Sequence, residues 1–522
     1  MVPPIPRASV KATSARMEGF FRFPRCEEDE IVFSGRGPWG FDMWQKTSAA
    51  TGLLLTILST TASAQDARTV IDSASKALGA TGLNSIVIAG EGAYGNFGQS
   101  RTISFGLSST AVRNYKRVID FTKPASHETG LAVPMPGPRG APPPLPGQPY
   151  PFDQLTPAGE SWAEQVDIWV TPWGFLRGAA ANAATVRSRK IEGVTYNVVT
   201  WSPAQKSPSG QPYRVIGYIN PQQFIDRVET WIEHPVFGDM HVETFFSDYA
   251  DFGGGLRAPT RIRQSRVGME TYVALVREAR ANPPDLATLM KPTQPPPIAP
   301  PPAGPAASEK LADGVYRITG GYVSLAVEFK DHVVVLEGGE SEARALAVIA
   351  ETKRLIPKKP IKYVVNTHPH FDHASGLATF AADGAIVLTD DNSMYFVQQS
   401  LLMPRTLVGD VLGKSKKKPK VESVIEKMVL QDETRTIELH HVAGLEHSDA
   451  MLLAYLPKEK ILFTADFSAP QPGQPVSPSI VTLAQNIQRL QLDFDRHVTV
   501  HATDPDRPLT RADLLALVKE TK

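Results

Sequence analysis

From residue 66 to 284 short β-branched and aromatic runs alternate with turn residues, the period-two pattern of half-buried strands. A helix-like stretch at 68–78 opens this part, and the clearest strands fall at 85–90, 194–201, 214–219, 224–233 and 240–246. Pro235-Val236-Phe237-Gly238-Asp239 supplies the turn between the last two. Strands following one another so closely predict a mainly antiparallel meander. Further on, three strands are expected at 314–318, 323–329 and 332–337. A helix follows at 341–355 with Ala343, Leu346, Ile349 and Leu355 on its apolar face, then a buried strand at 360–365. Strand, helix and strand make a βαβ step, and later strands are expected at 435–442, 460–466 and 497–501.

Two proline-rich stretches interrupt the pattern. Residues 134–151 read as a long surface loop inside the β-rich part, and 291–305, with two Pro-Pro-Pro runs, as a stiff extended linker. The chain is thus expected to divide into a β-rich domain at 66–290, a linker at 291–308 and a C-terminal domain at 309–522. A length of 522 residues is itself too great for a single core.

The N-terminal residues carry a different pattern. Met43-Trp44-Gln45-Lys46 opens a short charged end, 49–58 is apolar, and Ala62-Ser63-Ala64 before Gln65 is a small-residue cleavage site, so 43–64 reads as a secretory signal peptide. Its apolar run is too short to span a bilayer, and no cysteine stands at the cleavage point to take a lipid. No stable membrane anchor is expected, and the destination is periplasmic or secreted. Residues 1–42 precede this signal as a leader, and translation is expected to start at Met43. The single cysteine, Cys26, lies in that leader, so the mature chain has no disulfide available.

Charge narrows the partners. Lys and Arg number 54 and Asp and Glu 54; cleavage after Ala64 leaves 47 against 48, so no strong field favours nucleic acid or an anionic membrane. The expected partner is a small-molecule substrate.

The chemistry concentrates in Asn366-Thr367-His368-Pro369-His370-Phe371-Asp372-His373, where three imidazoles and a carboxylate follow the 360–365 strand on a loop. Backbone alternation puts His368 and His370 on one side to share an ion, while Asp372 and His373 just beyond can reach a second. This H-x-H-x-D-H pattern resembles the signature of the metallo-β-lactamase superfamily of binuclear metallohydrolases. The resemblance implies an α/β fold, an αββα sandwich, in the C-terminal part.

The same resemblance extends to Gly444-Leu445-Glu446-His447-Ser448-Asp449, to Ala465-Asp466 at the end of a strand, and to His501 at the exit of another. It implies a first site of His368, His370 and His447, a second of Asp372, His373 and His501, and Asp466 as the bridge. Ala465 and Ala502 stand where the family has Gly, and Glu337 where it has Asp; Glu337 is expected to support the site rather than bind metal. His440 and His441 are expected to pack or to orient other residues, and His497 lies at the wrong end of its strand.

The implied cofactor is Zn²⁺, two ions with one as the alternative. The implied chemistry is attack by metal hydroxide on an ester, lactone, thioester or amide bond, with Asp372 as both metal-binding group and acid/base. Two other readings stay open. One is a mononuclear iron dioxygenase of the same fold using His368, His370, His447 and Asp466; the other is a non-enzymatic binding protein with a structural metal.

Overall fold

The computed structural model describes residues 64–103, 107–134, 148–294, 304–415, 417–467, 476–501 and 509–520. The leader, the signal peptide up to residue 63, Cys26 and the central parts of both proline-rich stretches lie outside the described residues.

The expected meander is one sheet of eleven strands. They are β1 (Ser85–Gly95), β2 (Ser109–Asp120), β3 (Ala125–Pro134), β4 (Tyr150–Thr156), β5 (Thr185–Ile191) and β6 (Val194–Trp201), followed by β7 (Val215–Ile219), β8 (Ile225–His234), β9 (Gly238–Asp251), β10 (Arg257–Arg266) and β11 (Met269–Ala281). Every pairing is antiparallel, and the order β4-β3-β2-β1-β11-β10-β9-β8-β7-β6-β5 brings the first and last strands together in the middle. Three helices pack on the sheet: α1 (Ala64–Ala77), α2 (Trp162–Trp169) and α3 (Pro172–Ala181). The last two depart from the all-strand pattern read for this part. Their starts are set by Ser161, whose hydroxyl accepts from the Glu164 amide, and by Thr171 ahead of Pro172. A short helix, α4 (Leu286–Leu289), closes the domain, and Asp153 accepts from the Thr293 and Gln294 amides at 2.6 and 2.9 Å, fastening the start of the linker to it.

The C-terminal part is a mixed α/β sandwich. One sheet runs β12 (Ala307–Ala312), β13 (Val315–Thr319), β14 (Ser324–Glu328), β15 (Val333–Leu336), β16 (Ile361–Val365), β17 (Ile386–Asp390) and β18 (Lys420–Val424), antiparallel as far as β15 and parallel beyond it. The other holds β19 (Lys427–Gln431), β20 (Thr436–His441), β21 (Leu452–Leu456), β22 (Ile461–Thr464) and β23 (Arg496–Thr499). All four residues of β15 are buried: Val334 and Leu336 fill the space between the sheets, whereas Val333 and Val335 face the helix layer. That layer contains α5 (Glu342–Leu355), the single turn α6 (Phe371–Ala374), α7 (Leu377–Asp383), α8 (Asp391–Leu402) and α9 (Val411–Lys414), while α10 (Pro478–Leu490) and α11 (Arg511–Glu520) pack together beside the second sheet.

Helix α5 occupies the expected span, and of its expected face Ile349 is buried and Leu355 packs against the core, but the other two residues do not turn inward. Ala343 and Leu346 are exposed, and Ala345, Val348, Ile349 and Thr352 are buried with Arg344. The rotation follows from Arg344, which is sealed inside and donates to the carbonyls of Ile318, Thr319 and Tyr322. A buried guanidinium needs such acceptors, and meeting them sets which stripe of the helix turns inward.

The β domain is seated on the helix layer, and one apolar core runs through both. Phe97 and Phe237 stack at 5.6 Å and meet Phe371 edge-on at 5.0 and 5.5 Å, while Phe237 also meets Phe396 at 5.6 Å. Arg405 donates to the Pro235 and Val236 carbonyls at 2.5 and 3.1 Å and pairs with Asp410 at 2.6 Å. In return Asp239 accepts from the Thr406 hydroxyl and the Leu407 amide at 2.6 and 2.7 Å.

Candidate metal centre

Strand β16 ends at Val365, and buried Asn366 shapes the segment beyond it. Its side-chain amide donates to the His368 carbonyl at 2.7 Å and to the His373 carbonyl at 3.3 Å, closing the segment into a compact loop. The loop then enters α6, so Asp372 and His373 project from a helical turn. His370 itself is extended, so it and His368 share one side as expected, while the turn of α6 carries Asp372 and His373 to the other.

His447, Asp466 and His501 complete the arrangement from the far half of the domain. Nε2 of His368 stands 3.0 Å from Nδ1 of His370, 3.3 Å from Nε2 of His447 and 3.5 Å from Oδ2 of Asp466, and Oδ2 is 2.7 Å from His447. On the other side Nε2 of His373 lies 3.2 Å from Nε2 of His501, 3.4 Å from Oδ2 of Asp372 and 3.0 Å from Oδ1 of Asp466; His501 is 2.9 Å from the same oxygen. Two groups result, His368, His370, His447 and Asp466, and Asp372, His373 and His501, with Asp466 offering one carboxylate oxygen to each. All seven sequence-predicted positions therefore converge. Ala465 is fully buried, and Asp466 turns its carboxylate inward with φ 54°.

Glu337 follows β15 and has no solvent exposure. Its Oε2 accepts from the Thr367 hydroxyl at 2.7 Å and stands 3.1 Å from Nδ1 of His373, so it holds that ring without entering either group. His440 faces Glu438 and His441 faces Asp390, and neither enters the two groups. His497 is buried against Thr464 and Leu509.

Three further residues reach the site with no signal in the sequence. The Tyr322 hydroxyl donates to Oδ2 of Asp372 at 2.8 Å, and its ring lies 4.3 Å from that of His501. From the β1–β2 loop, Gln99 donates to Oδ1 of Asp372 at 2.7 Å and the Ser100 carbonyl stands 3.2 Å from Nε2 of His370. Tyr322 is a single aromatic residue between two strands, and Gln99 and Ser100 are neutral residues in another part of the chain.

Electrostatics follow from packing. Burial pushes His370 down to about 4 and holds His368 well below the usual imidazole range, keeping both imidazoles neutral with lone pairs available. Burial also opposes ionisation of Asp466, but His373, His447 and His501 outweigh it and hold the carboxyl well below the usual carboxylate range. Asp372 is likewise held low against its burial, by His373, Tyr322 and Gln99. Against its burial, Glu337 and Asp466 push His373 up to about 10. The donor set fits divalent metal: five imidazoles and two carboxylates converge in two compact groups. Oδ1 of Asp466 is moreover buried without a hydrogen bond of acceptable geometry, as expected of an atom built to meet a cation.

Residues 318–501 match the family described as the metallo-beta-lactamase superfamily. No curated protein matches the chain. Among solved structures, the chain is similar to the metallo-beta-lactamase from Pontibacter korlensis at 18% identity and TM-score 0.32, over 41% of this chain and 99% of that one. It is similar to the metallo-beta-lactamase from Hirschia baltica at 20% identity and TM-score 0.32, over 42% and 98%. The mono-zinc form of FIM-1 from Pseudomonas aeruginosa gives 16% identity and TM-score 0.33, over 42% and 96%.

Proposed function

Because residues 318–501 form a metallo-β-lactamase superfamily domain, we propose that the protein is a zinc-dependent hydrolase that cleaves an ester, lactone, thioester or amide bond in a small molecule. The observation that carries the reading is the placement of Asp466, whose two oxygens face two separate sets of imidazoles. His368, His370 and His447 would hold the first ion, Asp372, His373 and His501 the second, with Asp466 between them. Zinc bound there supplies Lewis acidity, lowering the pKa of water towards neutrality and polarising the scissile carbonyl.

The protein's own groups supply the rest. Asp372 is kept ionised and fixed at both oxygens, by Gln99 and by Tyr322, so it is placed to take the proton of the attacking water and return it to the leaving group. Burial and the Asp372 bond push the Tyr322 phenol up, so it stays protonated as a donor while this happens. Neutral overall charge agrees with a small substrate rather than a nucleic acid. The signal sequence at 43–64 supports a periplasmic or secreted location, and no described helix is long and apolar enough to cross a membrane.

The test is metal analysis of the purified mature chain with a substrate panel of β-lactam, lactone, aryl ester and glutathione thioester. Two zinc ions per chain and turnover of at least one class are expected. A single iron with oxygen consumption overturns the reading in favour of the dioxygenase.

A further inference from the structure

The β1–β2 loop leaves the eleven-stranded sheet and touches the metal centre at several points. The Gly98 carbonyl accepts from the Phe371 amide at 3.0 Å, the Ser100 carbonyl faces His370, and Gln99 donates to Asp372. One residue further, the Arg101 carbonyl accepts from the Asp449 amide at 2.9 Å, and its guanidinium donates to the Leu445 carbonyl at 3.1 Å. Residues 98–101 thus hold both the 368–373 loop and the turn that carries His447. They lie outside the 318–501 family domain.

These contacts have a chemical direction. A carbonyl oxygen only accepts, so the Ser100 contact requires the proton of His370 to sit on Nε2, leaving Nδ1 unprotonated toward His368. Gln99 and Tyr322 take one oxygen each of Asp372, which fixes the carboxylate in rotation. The approach is also specific in shape. Gly98 has φ 100°, and a Cβ there would lie 2.5 Å from the Phe371 ring, so only glycine lets the loop come this close.

We propose that the β1–β2 loop is a built part of the metal centre, with Gln99 the positioning residue for Asp372 at the second ion and the Ser100 carbonyl the element that sets the His370 tautomer at the first. The β domain is then a supplier of the centre rather than an appendage to it. The proposal rests on the metallohydrolase reading, and its test reads metal directly so that the two can fail separately.

The experiment measures zinc per chain and stepwise zinc affinity, by competition with a chromophoric chelator, in the full-length protein and in Gln99→Leu, Gln99→Glu and Gly98→Ala. Gln99→Leu should keep the first ion and weaken the second by about ten- to a hundredfold, with the melting temperature of the metal-free protein unchanged. Gln99→Glu, which sets a carboxylate against Asp372, should weaken it further. Gly98→Ala, which displaces Gln99 and the Ser100 carbonyl together, should weaken both ions; if it fails to fold, the Gln99 variants decide the matter. Two ions at unchanged affinity in Gln99→Leu would overturn the positioning role and leave the hydrolase reading standing. An equal fall in metal-free stability would reduce the contact to packing and overturn it as well. A wild-type protein that binds only one ion, with an affinity indifferent to Gln99→Leu, would overturn the positioning role, whereas a single iron with oxygen consumption would sink the hydrolase reading.

Discussion

Oε2 of Glu337 stands 3.1 Å from Nδ1 of His373, and both side chains are sealed from solvent. The carboxylate accepts the hydrogen bond of Nδ1–H and so turns Nε2 toward Asp466 and His501. Glu337→Ala leaves a buried N–H without a partner and frees the ring. Affinity for the second ion should fall by about ten- to a hundredfold, read by chelator competition, with activity following it. Unchanged affinity would mean that the surrounding packing alone holds His373.

The two groups of metal-binding candidates should separate by mutation. His368→Ala should abolish turnover and lower the metal content. His501→Ala removes a residue of the second group alone, so it should cost a large factor if both ions work and little if one suffices. Asp466→Asn should behave like loss of both groups, because an amide presents only one oxygen. Turnover and bound metal per chain for the three variants are the measurement, and full activity with normal metal in His368→Ala would rule out the assignment.

Arg405 joins the β domain to the helix layer, and only 6% of it is exposed. Arg405→Ala leaves Asp410 buried without its partner and strips two carbonyls of their donor. The expected loss is about 3–5 kcal/mol in denaturant unfolding. For the same reason residues 309–522 expressed alone should expose the apolar face around Phe371 and Phe396, detectable by binding of a hydrophobic dye. A fragment that melts cooperatively and binds no dye would show that the shared core is dispensable.

His497 gives a pH dependence. Its Nδ1 donates to the Leu509 carbonyl and its Nε2 meets the Thr464 hydroxyl, two contacts that a neutral ring satisfies. Burial pushes its pKa down to about 4. The unfolded chain, with a histidine near 6.5, takes up the proton first, so stability falls as pH drops from about 6.5 to about 4. The contribution is roughly 3 kcal/mol at the acid end. Urea midpoints across this window should fall less steeply in His497→Gln than in the wild type; parallel curves would remove His497 from the explanation.

Strand positions were legible because period-two burial is written locally. β6 matches its expected span, and β7 and β8 are displaced by only a residue. The helices α2 and α3 were hidden by composition. Trp162, Trp169, Trp173 and Phe175 suit a strand as readily as a helix, and only Ser161 and the Thr171-Pro172 pair marked the starts. Ile349 and Leu355 of α5 pack as expected, but Ala343 and Leu346 do not, because a long cation is ordinarily placed outside and Arg344 is drawn inward by carbonyls that no pattern displays. In the centre, His368 to His373 announce themselves by density, and His447, Asp466 and His501 through likeness to a family motif. Tyr322, Gln99 and Ser100 carry no such mark, since an amide or a carbonyl becomes significant only through the groups that the fold sets beside it.

The meeting of β1 and β11 in the middle of the large sheet bears on the order in which the molecule is made. Ile86 pairs with Ala281, so the inner edge of the hairpin that carries Gln99 stays open until almost the whole β domain has been synthesised. Contacts so distant in sequence are slow to form. The hairpin needs that partner for a settled position, whereas the stretch from 368 to 373 is made later still. Metal loading should therefore lag behind closure of the sheet in refolding experiments, and a protein arrested before that closure would be expected to stay empty of zinc.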